Sequence, residues 1–176
     1  MKTTRLISTL AFAFMMLLSF NVEAQKFSGL DKSPLDVSYY KTSRNAPPIA
    51  RVIYSRPQLK GRDANTLTQK DKVWRTGANE STEITFYSDV NFGGDTIKAG
   101  TYSLFTIPGD KEWTIIINSD LNAWGSYSYK EKNDVARVKV PATKGKDSVE
   151  AFSITFADGS MHMAWGTIRV AVPVSK

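Results

Sequence analysis

The residues best equipped for chemistry are Arg51, Arg56, Lys60, Arg62, Trp74, Arg75, Asn79 and Glu80, drawn from segments that flank one irregular stretch, Arg56 to Asp71. Forked guanidinium groups bind carboxylate, phosphate or sulfate through parallel hydrogen bonds, Trp74 offers a stacking face, and Asn79 both donates and accepts. Together they point to a small anionic or glycan ligand. The same letters admit a structural reading: Arg75 and Glu80 as an ion pair, Arg56-Pro57 as a strand end, and Gly77-Ala78-Asn79 as a turn in which Asn tolerates a left-handed backbone.

Other constellations are weaker. Asp89-Val-Asn91-Phe-Gly93-Gly94-Asp95 echoes an oxygen-rich calcium loop, but Gly93 has no side-chain ligand and Gly100 stands where a bidentate Glu is needed, so a glycine hairpin is expected instead. Met161-His162-Met163 offers copper ligands, yet on a strand His162 points away from both methionines, which then face the core with Trp165. A Ser-His-Asp set would depend on His162 alone, and no Gly-x-Ser-x-Gly elbow is present. Glu80 and Glu83 are expected to face opposite ways on a strand, and a partner carboxylate from Asp31 or Asp36 cannot be placed. Trp113, Trp124, Tyr127 and Tyr129 suggest an aromatic platform for a sugar, against a reading in which Trp113 is core and Trp124 plugs one end of the fold.

The whole chain narrows the field further. Its 176 residues contain no Cys and one His, which excludes disulfides, thiolate nucleophiles and any site needing two imidazoles. No metal, cofactor or catalytic residue is expected. Lys2 and Arg5 precede the apolar run Leu6 to Phe20, and Val22-Glu23-Ala24 places a cleavage site before Gln25. As a helix that run spans ~22 Å, short of a bilayer core of roughly 30 Å. The expectation is a signal peptide over 1–24 and one mature domain over 25–176, periplasmic or secreted, with no transmembrane segment after cleavage. Losing two positive charges and one negative from the full chain's +6 leaves a mature net charge of +5. The cations are scattered, so nucleic acid is not an expected partner.

The elements that must hold these residues are strands. Ile84 and Phe86 alternate with Thr85 and Tyr87; Ala136, Val138 and Val140 alternate with Arg137 and Lys139; Phe152, Ile154 and Phe156 alternate with Ser153 and Thr155; and Ile168, Val170 and Val172 alternate with Arg169 and Ala171. Trp113 to Ile117 is apolar on both faces and suits a strand covered on both sides. Pro108-Gly109-Asp110 and Asp158-Gly159 supply turns. The fold class read from this pattern is all-β: an antiparallel β-sandwich, jelly-roll or immunoglobulin-like Greek key, with at most one or two short helices, a closed barrel being the alternative.

Three stretches, Arg51-Val-Ile-Tyr-Ser-Arg-Pro57 with Lys60-Gly61-Arg62, Lys72-Val-Trp-Arg-Thr-Gly-Ala-Asn-Glu80, and Ala99-Gly-Thr-Tyr-Ser-Leu-Phe-Thr-Ile-Pro-Gly109 leading to Trp113, occur in an order that resembles the bacterial family called domain of unknown function 2911. Leu121-Asn-Ala-Trp-Gly125 and the closing strand extend the likeness over nearly all of the mature chain. The resemblance implies an exported protein of a Gram-negative bacterium and carries no catalytic residue with it. The chain departs from the family pattern at Asp63 to Thr68, a more polar stretch. The functional expectation is a non-catalytic binding or accessory domain for a small anionic or glycan ligand or an envelope protein partner. The alternatives are a carboxylate-dependent hydrolase or isomerase centred on Glu80, acting on envelope or glycan substrates, and a structural subunit of a cell-envelope assembly.

Overall fold

A computed structural model describes residues 25–176; the leader expected over 1–24 lies outside the described residues. Asp31–Lys176 forms one compact unit. Its strands are β1 (Leu35–Tyr40), β2 (Ala50–Ser55), β3 (Thr82–Phe86), β4 (Val90–Phe92), β5 (Asp95–Ile97), β6 (Gly100–Ile107), β7 (Glu112–Asn118), β8 (Asp134–Ala157) and β9 (Ser160–Ser175). They hydrogen-bond in one antiparallel sheet of nine strands, in the order β1-β2-β3-β6-β7-β8-β9-β4-β5. The only α-helix among the described residues is the five-residue α1 (Ala64–Thr68), which starts where the Asp63 carboxylate accepts from Asn65 N–H at 2.7 Å. No helix among them is long and apolar enough to cross a membrane.

The all-β class is as the alternating pattern indicates, and the two layers arise from one sheet folded over. The strand that folds it is β8. Ala136 to Val140 and Phe152 to Phe156 read as separate strands because the polar stretch between them breaks the alternation; they belong to one strand of 24 residues with register shifts around Val149. It pairs with β7 as far as Pro141 and with β9 from Ala142 onward, and the register shifts fall inside the pairing with β9. The far side is laced by the chain that leaves β2: Phe152 N–H donates to Pro57 O at 2.9 Å, Leu59 N–H to Glu150 O at 3.0 Å, and Ile154 N–H to the Tyr54 hydroxyl at 3.0 Å.

Inward side chains from both layers make one core. Trp113, Ile115 and Ile117 face it, while Ile116 is buried against the other face of β7 with Phe105. That outer cover comes from the segment after β7, whose Tyr129 ring stands edge-on to Phe105 at 5.2 Å. Met161, Met163 and Trp165 are buried on β9, and His162 points out between them. The Gly93-Gly94 hairpin joins β4 to β5; Gly93 has φ +63, and a Cβ there would collide with Val138. Asp89, the first residue of the calcium-like string, gives its carboxylate to Lys98 Nζ at 2.8 Å and to Ala99 N–H at 2.9 Å.

Candidate functional site

The site is built where the turn before β3 interlocks with the loop after β7. Thr82 donates its N–H to Arg75 O at 3.1 Å and its hydroxyl to Thr76 O at 2.7 Å, which closes the turn, and Asn79 adopts φ 60 within it. The loop is stitched on by Ser81 N–H to Ala123 O at 2.9 Å, Gly125 N–H to Asn79 O at 3.0 Å, and the Ser126 hydroxyl to Val73 O at 3.0 Å. Gly125 needs its φ of +69, and a Cβ on it would sit 2.8 Å from the Tyr127 ring. Asn79 is therefore a ridge, and a cleft opens on each side of it.

The basic cleft, about 510 Å³, takes its charge from Arg62, Lys72 and Arg75 and no lining carboxylate. The Arg75 guanidinium donates to Asn79 O at 2.9 Å and lies over the Tyr127 ring at 5.9 Å. Arg62 is anchored by its Nε and one Nη to Leu59 O at 2.9 Å and Gln58 O at 3.0 Å. None of the three cations has a carboxylate partner among the described residues. Its floor is Trp74, which exposes 8% of its surface and stacks on Trp165 at 5.7 Å, with Trp113 and Phe152 against its edges. Trp74 is thus a core residue that backs the cleft, with no open face for a ligand.

The acidic cleft, about 550 Å³, is lined by Asp31, Glu80 and Glu83, the amides Asn79 and Asn122, apolar Leu35 and Ile53, and Trp124. Glu80 and Glu83 share it because Glu80 lies ahead of β3, in a bridge with Trp124, so strand alternation does not separate the two. Asp31, which sequence alone cannot position, joins them. The Ser33 N–H and then the Asn79 amide hold its carboxyl below the usual range. Glu83 accepts from Asn122 N–H at 3.2 Å. Trp124 is 59% exposed and plugs nothing, because the loop is pinned through its backbone at Ala123 and Gly125 and the indole is left outside. Tyr129 is in the outer cover of the sheet, away from Trp124; burial first, and then Asp134, pushes its hydroxyl well above the ordinary range.

The structure thus brings Arg62, Trp74, Arg75 and Asn79 to one cleft, and Asn79 with Glu80 to the other. Arg56 belongs to neither. It ties the layers together, pairing with Asp36 at 3.0 Å and donating to Phe152 O at 3.1 Å and the Ser153 hydroxyl at 2.8 Å. Lys60 is in a positive-φ turn whose N–H meets Glu150 at 2.7 Å, and Arg51 stands on the outer face of β2 with its Nε buried and unpartnered. The Arg75–Glu80 ion pair is replaced by the bond from Arg75 to Asn79 O. Lys72 is the cation overlooked in the sequence; its only signal is its place two residues before Trp74 in a segment already rich in polar groups. The outward residues of β1, Leu35, Val37 and Tyr39, form an exposed apolar row beside the acidic cleft.

No significant match was found among curated proteins or solved structures. A family model does match, over residues 38–174, from within β1 to the next-to-last residue of β9, and it takes in Arg51, Arg56, Lys60, Arg62, Lys72, Trp74, Arg75, Asn79, Glu80, Glu83 and Trp124, while Asp31, Leu35, Asp36 and Val37 lie before it. The chain belongs to that family, described as a protein of unknown function, DUF2911.

Proposed function

We propose that this protein is an exported, non-catalytic binding domain whose basic cleft holds a small ligand bearing a carboxylate, phosphate or sulfate. The observation that carries the reading is the set Arg62, Lys72 and Arg75 around one cavity with no carboxylate to neutralise it. Two of these groups are already oriented by backbone carbonyls, so little side-chain freedom is lost when an anion arrives. The guanidinium N–H groups not committed to those carbonyls are left to donate to a ligand that offers paired oxygens.

The test is calorimetric titration of residues 25–176 with inorganic phosphate, sulfate, citrate and glucuronate. At least one is expected to bind, with affinity falling as salt rises, and Arg75→Ala is expected to weaken it about tenfold or more, the worth of a charge-assisted hydrogen bond. Binding that Arg75→Ala and Lys72→Ala leave unchanged, or no binding at millimolar concentration, overturns the reading.

A further inference from the structure

We infer that the acidic cleft is a sugar-ring site that accepts neutral or amino sugars and rejects acidic ones. Trp124 is the starting observation. Trp74, Trp113 and Trp165 are buried, while Trp124 stands on the cleft wall and stacks on no other ring among the described aromatic pairs. An indole carried into water by a loop whose backbone is pinned on both sides is a flat apolar surface, and the C–H face of a pyranose can cover it.

The rest of the wall fits the same ligand. Leu35 and Ile53 extend the apolar surface, and the Asn79 and Asn122 side chains bring planar amides that donate to and accept from hydroxyl groups. Asn122 is fixed by its φ of 57 and by its N–H bond to Glu83. The volume lies in the range of about 300–1,000 Å³ that holds small organic ligands. Selectivity comes from Asp31, Glu80 and Glu83, with no Lys, Arg or His in the lining: carboxylates accept hydroxyl or ammonium hydrogens and repel a uronate. This inference stands apart from the anion reading, since Arg62, Lys72 and Arg75 take no part in it.

The experiment titrates residues 25–176 with tetramers of glucosamine, N-acetylglucosamine and galacturonic acid, reading heat and tryptophan fluorescence, and repeats each titration on Arg75→Ala to remove the basic cleft. Glucosamine or N-acetylglucosamine tetramer is expected to bind and change the fluorescence in both proteins. Trp124→Ala is expected to weaken that binding about tenfold or more, with its melting temperature unchanged because the side chain is exposed. On the Arg75→Ala background galacturonate is expected not to bind, and Glu80→Gln is expected to narrow the gap between it and glucosamine. Failure of both non-acidic tetramers, binding that survives Trp124→Ala, galacturonate binding on that background as tight as glucosamine, or a gap that Glu80→Gln leaves unchanged overturns the inference.

Discussion

The two clefts share Asn79 and one interlocked pair of loops, yet carry opposite charge. The difference comes from the third wall. On one side it is the chain around α1, which brings Arg62 and Lys72; on the other it is the approach to β1 and the start of β3, which bring Asp31 and Glu83. The clefts also differ in depth of support. The basic one is floored by a tryptophan inside the core, the acidic one is walled by a tryptophan outside it. A pinned ridge can hold two environments apart because neither wall has to move for the other to change.

The widest separation expected between the two sides is therefore in stability. Trp74→Ala removes a ring packed on Trp165, Trp113 and Phe152 and is expected to cost about 3–5 kcal/mol in urea unfolding, whereas Trp124→Ala stays within about 0.5 kcal/mol. Equal losses would erase the distinction between a floor and a platform. The arginines sharpen it on a smaller scale. Arg56→Ala cuts an ion pair and two hydrogen bonds that lace the layers together, at an expected cost of about 1–3 kcal/mol. The partial exposure of both partners puts the result toward the lower end of that range. Arg75→Ala is expected to cost less than Arg56→Ala, because its one hydrogen bond holds a loop whose other backbone ties remain; chemical denaturation of the two variants side by side decides it.

The strands were legible because burial on one face writes itself into every second residue, as at Ile84 and Phe86 or at Met161, Met163 and Trp165. The length of β8 was not, because the residues in its middle are exposed or half-buried on both faces and lose the alternation that marks a strand. The site was half legible. Arg75 and Asn79 were found because turn chemistry and guanidinium chemistry show in residue types, and Arg62 by its place in the loop. Trp74 and Arg56 have the same residue types and serve the core and the seam. Sequence cannot tell a guanidinium that meets a carbonyl across the fold from one left facing a cavity. The acidic cleft was hidden for a different reason: Asp31, Glu80 and Trp124 are far apart in the chain and meet only through the bridge of Glu80 to Trp124 and the turn at Asn79.

The smallest expected effect tests whether Asn79 is a ridge that acts on its acidic side. Asp31 is held below the ordinary carboxylate range first by the Ser33 N–H and then by the Asn79 amide. A carboxyl with a depressed folded pKa adds stability that is fully present above its unfolded value and is lost as pH falls from there through the folded value. Its full exposure to water keeps that contribution small. The direct readout is the midpoint of the Asp31 side-chain carboxyl followed by NMR. Asn79→Ala should move it up part of the way toward the ordinary value, leaving the share that belongs to Ser33, while Arg75→Ala should leave it in place if the two clefts are electrically separate. A midpoint that moves as far with Arg75→Ala as with Asn79→Ala would mean that the basic side reaches across the ridge, and the two environments would then have to be treated as one.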